Sequence, residues 1–373
     1  MWSEDFKLGK LTLDMELSTF CNARCPQCSR TDEFNNLNKK EWLPLQQVSI
    51  SKFKRWFSKK DIPHIRNFHF SGTYGDPGMC KDLYEIVSYI IDNSRTTTIS
   101  INTNGSMRST DFWWDIGAKG QKRLKIIFDV DGIDQEMHEF YRRGTKLSKV
   151  LDNMRAVLET PAQVSVLTIL FKHNQEYLEQ IQDMCRKMGV EIFDSVEGNN
   201  FREGPIYKFK DEQGQELKLE QITRKDREQG LKRLSRRIRD HRHAPSIEEY
   251  TEIECVAAKQ NNLKVHASGL VAPCCYLSTP LEMASLYKKN KPPAKHITKN
   301  GYSAWKDWEQ DGDIDEEFHP LMKKYVDNYQ MFILGNRSIN DIVNDSWWDD
   351  LENSWNDNKT ACYGCKRVCG KND

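Results

Sequence analysis

The chain has 373 residues, enough for one large domain and a smaller one. Lysine plus arginine equals aspartate plus glutamate at 55 each, which excludes a global field drawing the protein to nucleic acid or an anionic membrane. Residues 1–10 are charged and lack an apolar signal core, and no uncharged apolar run reaches about 18 residues, so a cytoplasmic protein without membrane contact is expected. In that setting the 11 cysteines point to metal rather than to disulfides.

Up to residue 198, short β-rich runs alternate with runs of helical period. Strands are predicted over residues 11–17, 67–71, 98–103, 124–130, 164–171 and 191–196, and helices over 49–59, 81–93, 110–118, 146–159 and 175–188. Repeated βα units imply a parallel sheet with helices outside it and ligands at the carboxyl ends of the strands. The unusual residues cluster at those ends. Cysteines follow the first strand, Gly-Thr-Tyr-Gly-Asp-Pro the second, Thr-Asn-Gly the third and Asp-Gly the fourth.

Residues 201–250 are polar and read as a charged linker with an exposed helix, since nine Lys or Arg face three acids between residues 224 and 242. No aromatic residues interleave there, so nucleic acid is not an expected partner. From 251 on, residues 264–266 and 270–272 flank Ala267-Ser268-Gly269 as a hairpin. A Lys/Pro-rich loop around 288–295, an acidic stretch over 307–317 and a helical run holding Trp347, Trp348 and Trp355 follow. The tryptophans are expected to pack that helix against the barrel or the hairpin.

The run CNARCPQC places Cys21, Cys25 and Cys28 on one loop as Cys-x3-Cys-x2-Cys, so three thiolates can hold three irons of a cube and leave the fourth open. A structural zinc site needs four closed ligands, commonly in paired Cys-x2-Cys knuckles, and suits this spacing poorly. On these residues the chain resembles the radical SAM (S-adenosylmethionine) superfamily, and its C-terminal part resembles the SPASM/twitch branch. That resemblance implies a partial (β/α)6 TIM-like barrel over residues 1–200 and an auxiliary-cluster domain over 251–373. It also implies a SAM-binding 4Fe-4S cluster, a second auxiliary 4Fe-4S cluster, SAM itself and an external one-electron reductant of flavodoxin or ferredoxin type. The residue before the third cysteine, usually apolar or aromatic in the family, is Gln27 here.

The segment FSGTYGDP resembles the family motif that binds the SAM amino group, which implies contacts from Gly72, Thr73, Gly75 and Asp76. Thr103, Asn104 and Gly105 resemble its ribose-side Thr-Asn-Gly, with Asn104 and Ser100 as hydroxyl partners. Asp129 and Asp131 end the fourth strand, and Arg142 or Arg143 offers a planar guanidinium to the SAM carboxylate. Cys80, a candidate hydrogen-atom donor, and His173, at the fifth strand end, are the catalytic candidates.

Cys255 and Cys274 span the hairpin, and CYGCKRVC adds Cys362, Cys365 and Cys369. A full SPASM domain has more cysteines. The one-cluster twitch form fits better, with Cys255, Cys274, Cys362 and Cys365 as ligands and Cys369 or Cys275 as replacements. The expected activity is an oxidoreductase reaction in which a deoxyadenosyl radical takes a hydrogen atom from a peptide or protein residue. Dehydrogenation or epimerisation of a small carbohydrate or aminocyclitol is the alternative, and a non-catalytic metal-binding adaptor is the reading from another class.

Overall fold

In the computed structural model, residues 1–198, 201, 204–222, 252–279, 281–282, 319–356 and 360–371 are described. The basic run at 224–242, the Lys/Pro-rich loop and the acidic stretch lie outside them. The described strands include β1 (Leu11–Met15), β2 (Ile65–Phe70), β3 (Thr98–Thr103), β4 (Leu124–Asp129), β5 (Gln163–Leu170) and β6 (Ile192–Glu197). They also include the hairpin β7 (Ile206–Lys210) and β8 (Glu216–Glu220), then β9 (Glu252–Ile253), β10 (Asn262–Val265), β11 (Val271–Ala272) and β12 (Gly370–Lys371). Eight of them form one sheet in the order β11-β10-β1-β2-β3-β4-β5-β6. Strands β3 to β6 run parallel, as do β1 and β10, while β11 returns antiparallel to β10. This is the expected partial TIM-like barrel topology, and each of the six predicted strands is present.

The chain divides into two compact units. The central unit comprises Glu16–Ile50 and Phe68–Arg242. In it, α3 (Leu83–Asn93) buries Leu83, Ile86, Val87 and Ile90, the three- and four-residue steps of a single apolar stripe. Helix α4 (Thr110–Gly120) is N-capped by Ser109, whose side chain accepts from the Phe112 amide. Strand β4 alternates buried Leu124, Ile126 and Phe128 with half-buried Lys125, Ile127 and Asp129. Trp113 of α4 meets Phe128 at 5.6 Å between ring centroids, which makes the Phe128 side the helix-covered face and leaves Asp129 on the other. Gly105, at φ +68°, passes so near the Phe128 ring that a Cβ there would collide with it.

Three central elements depart from the expected pattern or go beyond it. Helix α5 (Gln135–Tyr141), capped by Asp134, precedes the predicted α6 (Leu147–Leu158). The helix predicted over 175–188 is α7 (Leu178–Arg186), entered through a 3-10 turn at Gln175–Tyr177. The supposed linker contains the β7-β8 hairpin, in which Phe209 and Leu219 join a buried cluster with Leu37, Tyr141, Phe171 and Cys25.

The terminal unit comprises Met1–Met15, Ser51–Asn67 and His243–Asp373. Its first helix, α1 (Trp2–Lys7), buries Trp2 against Trp348 at 5.2 Å and Trp355 at 6.3 Å. The helix predicted around the tryptophans is two helices, α9 (Ile339–Val343) and α10 (Ser346–Ser354), which follow α8 (Pro320–Asp327). The break lies at Asp345, whose carboxylate caps the Trp347 amide and so starts a new helix. Trp347 packs on Tyr325 of α8 and on Phe332, so its partners are other aromatic residues of the terminal unit. Among the described residues no helix is long and apolar enough to cross a membrane.

Candidate active site

The site in the central unit is built on the loop after β1. Cys25 is buried, and Cys21 and Cys28 are half-buried beside it against the same apolar cluster. Backbone amides turn towards sulfur, with Ala23 N–H at 3.4 Å from Cys21 Sγ and Arg30 N–H at 3.5 Å from Cys28 Sγ. Thr31 Oγ1 donates to the Cys25 carbonyl at 2.6 Å and closes the loop.

The ends of the second and third strands are fastened to this loop. Asn104 Nδ2 reaches Asp76 Oδ2 at 2.8 Å, Asn22 Oδ1 at 2.9 Å and Cys21 Sγ at 3.7 Å. The Asp76 carboxylate also accepts from the Gly78 and Asn104 amides at 2.8 Å and from Thr103 Oγ1 at 2.9 Å. Asp76 N–H in turn donates to the Phe20 carbonyl at 2.8 Å. A Cβ on Gly75 would overlap the Ser18 and Phe20 carbonyls, and one on Gly72 would overlap the Gly75 carbonyl. Both glycines are therefore required for the close approach of backbones. The Tyr74 amide donates to Glu16, and Cys28 Sγ lies 4.0 Å from the Thr73 carbonyl.

At the fourth strand end Arg142 is held between Asp129 Oδ2 at 2.9 Å and Asp131 Oδ2 at 2.5 Å. Burial and the charge of Asp131 push the Asp129 carboxyl up to about 7, against the pull of Arg142. Behind them His138 accepts the Asp131 amide on Nδ1 at 3.2 Å and meets Thr145 Oγ1 through Nε2 at 3.0 Å. Thr145 spends its own proton on the Arg142 carbonyl, so His138 Nε2 is the donor and the ring is neutral. Burial lowers its pKa to about 4.

Arg143 turns elsewhere, to Glu212 at 2.9 Å and Asp211 at 3.6 Å on the β7-β8 turn. The same hairpin donates Tyr207 OH to the Pro26 carbonyl inside the cysteine loop at 2.9 Å. Arg24 N–H reaches the Arg143 carbonyl at 2.9 Å, so hairpin, cysteine loop and arginine loop brace one another.

The remaining candidates lie at a greater remove. Ser100 stands half-buried on β3, in register with Lys125. His173 is half-buried between Phe140 at 4.7 Å and Phe171 at 5.8 Å, and burial lowers it to about 4. Cys80 is fully buried with its thiol 3.3 Å from the Val48 carbonyl, and burial pushes it up to about 12. That thiol is part of the packing around the Gly-Asp turn.

Asn22, His138 and the hairpin are the site residues that motif spacing does not show, whereas Asn174 stands beside His173 at the fifth strand end, as the sequence places it. Asn174 Nδ2 donates to the Asp131 and Ile169 carbonyls at 3.0 and 2.9 Å and ties the fourth and fifth strand ends together. The hairpin does have a signal in the alternation of IYKFK and ELKLE about a turn containing Gly214.

Residues 15–185 match the Radical SAM superfamily. The chain carries a radical SAM domain. Similar curated proteins include the GTP 3′,8-cyclase of Campylobacter jejuni, 24% identical over 284 residues that cover 74% of this chain and 84% of that one. The GTP 3′,8-cyclase of Sulfurimonas denitrificans is 23% identical over 282 residues, with the same shares of each chain, 74% and 84%. Among solved structures, native anSMEcpe with bound AdoMet and Cp18Cys peptide aligns over 96% of this chain and 88% of that chain, with a TM-score of 0.52 and 14% identity. That likeness is one of fold.

Radical SAM domains use a 4Fe-4S cluster and SAM, and the donor set of the first loop fits such a cluster. Burial raises the pKa of all three thiols, with Cys25 at about 12, and Cys25 and Cys28 add to the rise at Cys21. Three cysteine sulfurs gathered on one loop are a donor set that iron would hold as thiolates. Among the described residues no three Cys, His, Asp or Glu side chains close on a single ion.

The terminal unit gathers its own thiols. Cys255 is hydrogen-bonded to Cys369 and lies near Cys274, while Cys362 is hydrogen-bonded to Cys365. The hydrogen bond with Cys369 and then burial raise Cys255, burial raises Cys274, the hydrogen bond with Cys362 and then burial raise Cys365, and that same bond holds Cys362 below its ordinary value.

Proposed function

We propose that this protein binds a 4Fe-4S cluster at Cys21, Cys25 and Cys28 and uses it with SAM to remove a hydrogen atom from a substrate. The observation that carries this reading is Asn104, whose amide joins the first cysteine, the loop residue Asn22 and the buried Asp76. It fixes the cysteine loop to the ends of the second and third strands. When bound, the cluster and SAM supply reductive cleavage of a sulfonium C–S bond, which gives methionine and a deoxyadenosyl radical.

The chain's own residues hold that chemistry. Cys21, Cys25 and Cys28 supply three thiolates and leave one iron open. Gly72 and Gly75 let the Gly-Asp turn pack against the cysteine loop, which would set this turn at the SAM amino acid portion, and Asn104 would lie on the ribose side. Arg142, fixed by two carboxylates, offers a positioned cation beside Cys25. The β7-β8 hairpin contributes Phe209 and Leu219 to the buried apolar cluster that holds Cys25. Cys255, Cys274 and the cysteines of the last helix hold a second cluster.

For the substrate, the named relatives support radical SAM chemistry and give no support to peptide modification. The readings to be separated are oxidation of a peptide or protein residue and reaction at a nucleotide. The second is favoured by the GTP 3′,8-cyclases similar to 74% of the chain. The test is release of 5′-deoxyadenosine from SAM by the anaerobically reconstituted, dithionite-reduced protein, with GTP and with a cysteine-containing peptide. A rise with GTP alone supports the nucleotide reading, and a rise with peptide alone supports the peptide reading. No deoxyadenosine under any condition overturns the proposed chemistry.

A further inference from the structure

The last helix, α11 (Tyr363–Cys369), carries Cys365 and Cys369 four positions apart and therefore on one face, while Cys362 is its N-cap. Strand β12 follows at once and pairs antiparallel with β9, with Ile253 opposite Gly370. The Glu254 amide donates to the Cys369 carbonyl at 3.0 Å. This pairing brings Cys369 beside Cys255, and their thiols are hydrogen-bonded. Cys274 lies near both, and Cys365 lies near Cys274 and Cys255. Cys362 has Cys365 as its thiol neighbour. Cys275 is exposed and lies towards Asp14 and Lys264, and Lys264 is itself paired with Asp14 at 3.2 Å.

We infer that the second cluster is held by Cys255, Cys274, Cys365 and Cys369, with Cys362 a spare thiol at the helix cap and Cys275 outside the centre. The inference rests on the reading of a second cluster in the terminal unit. It alters the ligand set that the Cys-x2-Cys spacing suggests, because the β9-β12 pairing sets Cys369 beside both Cys255 and Cys274, whereas Cys362 meets the group through Cys365. Four thiolates close all four irons of a cube, so this centre has no vacant corner for a substrate.

The test uses the full-length chain with Cys21, Cys25 and Cys28 replaced by alanine, so that the second centre alone is loaded. After anaerobic reconstitution the parent should hold about four irons and as many acid-labile sulfides, and give an electron paramagnetic resonance signal on dithionite reduction. Adding Cys362→Ser should leave iron, sulfide and signal as they are. Adding Cys369→Ser should cut bound iron several-fold. Cys369→Asp, which keeps an anionic ligand at the same place, should retain iron and shift the signal, which separates lost ligation from lost fold.

The ligand set is overturned if Cys362→Ser loses the cluster, or if Cys369→Ser and Cys369→Asp both leave it unchanged. A parent that binds neither iron nor sulfide overturns the second-cluster reading and the inference with it. Normal loading of the parent with the reverse pattern among the variants overturns the ligand set alone.

Discussion

Gly75 sits where the Gly-Asp turn passes under the cysteine loop, with the Ser18 and Phe20 carbonyls already within the space a side chain would take. Gly75→Ala must displace backbone rather than a flexible side chain. It is expected to abolish iron binding at the first site while sparing the second, and iron counting on the reconstituted variant checks this. His138 makes a different prediction. Its ordinary pKa near 6.5 falls to about 4 in the folded state, so the native protein resists protonating it. The stability this provides is present above about 6.5 and is lost as pH falls through the window towards 4, on the order of 2 kcal/mol between pH 7 and pH 5. Urea unfolding at the two pH values should show the loss, and His138→Gln, which keeps a donor and an acceptor, should reduce it. An equal loss in both proteins would contradict the assignment. The cysteines, glycines and Asn104 were legible because chemistry fixes their spacing along a single loop or turn. His138 was not, because its partners, the Asp131 amide and Thr145, stand seven residues to either side and meet it only when the segment around α5 folds back on itself.

The strands and helices of the barrel follow from apolar periodicity, since each has one face packed against a neighbouring layer. The β7-β8 hairpin was hidden by composition. Apart from Ile206 its outward positions are Lys and Glu, while Phe209 and Leu219 are buried and Tyr207 and Leu217 pack partly buried beside them. Phe209→Ala should cost about 3–5 kcal/mol of local packing and loosen the hairpin. Trypsin should then cut at Lys208, Lys210 or Lys218 much faster than in the native chain, and iron at the first site should be lost faster to a chelator. An unchanged cleavage rate would mean that the hairpin is held by its ion pairs, Arg143 with Glu212 above all, rather than by its apolar face. The single helix expected around the tryptophans fails for a local reason, since periodicity cannot see that Asp345 prefers to cap a new helix over continuing an old one.

Across the whole molecule, each unit gathers its own thiols, and the chemistry proposed for the chain depends on the first set having one vacant iron. Deoxyadenosine release from SAM by the anaerobically reconstituted and reduced protein measures this most directly, compared among the wild type and the single variants Cys21→Ala, Cys25→Ala and Cys28→Ala. The account predicts release by the wild type and none by any of the three, with the far-ultraviolet circular dichroism of all four alike. Release that persists in a variant lacking one of these thiols, or a wild type that binds zinc in place of iron and sulfide, would contradict it.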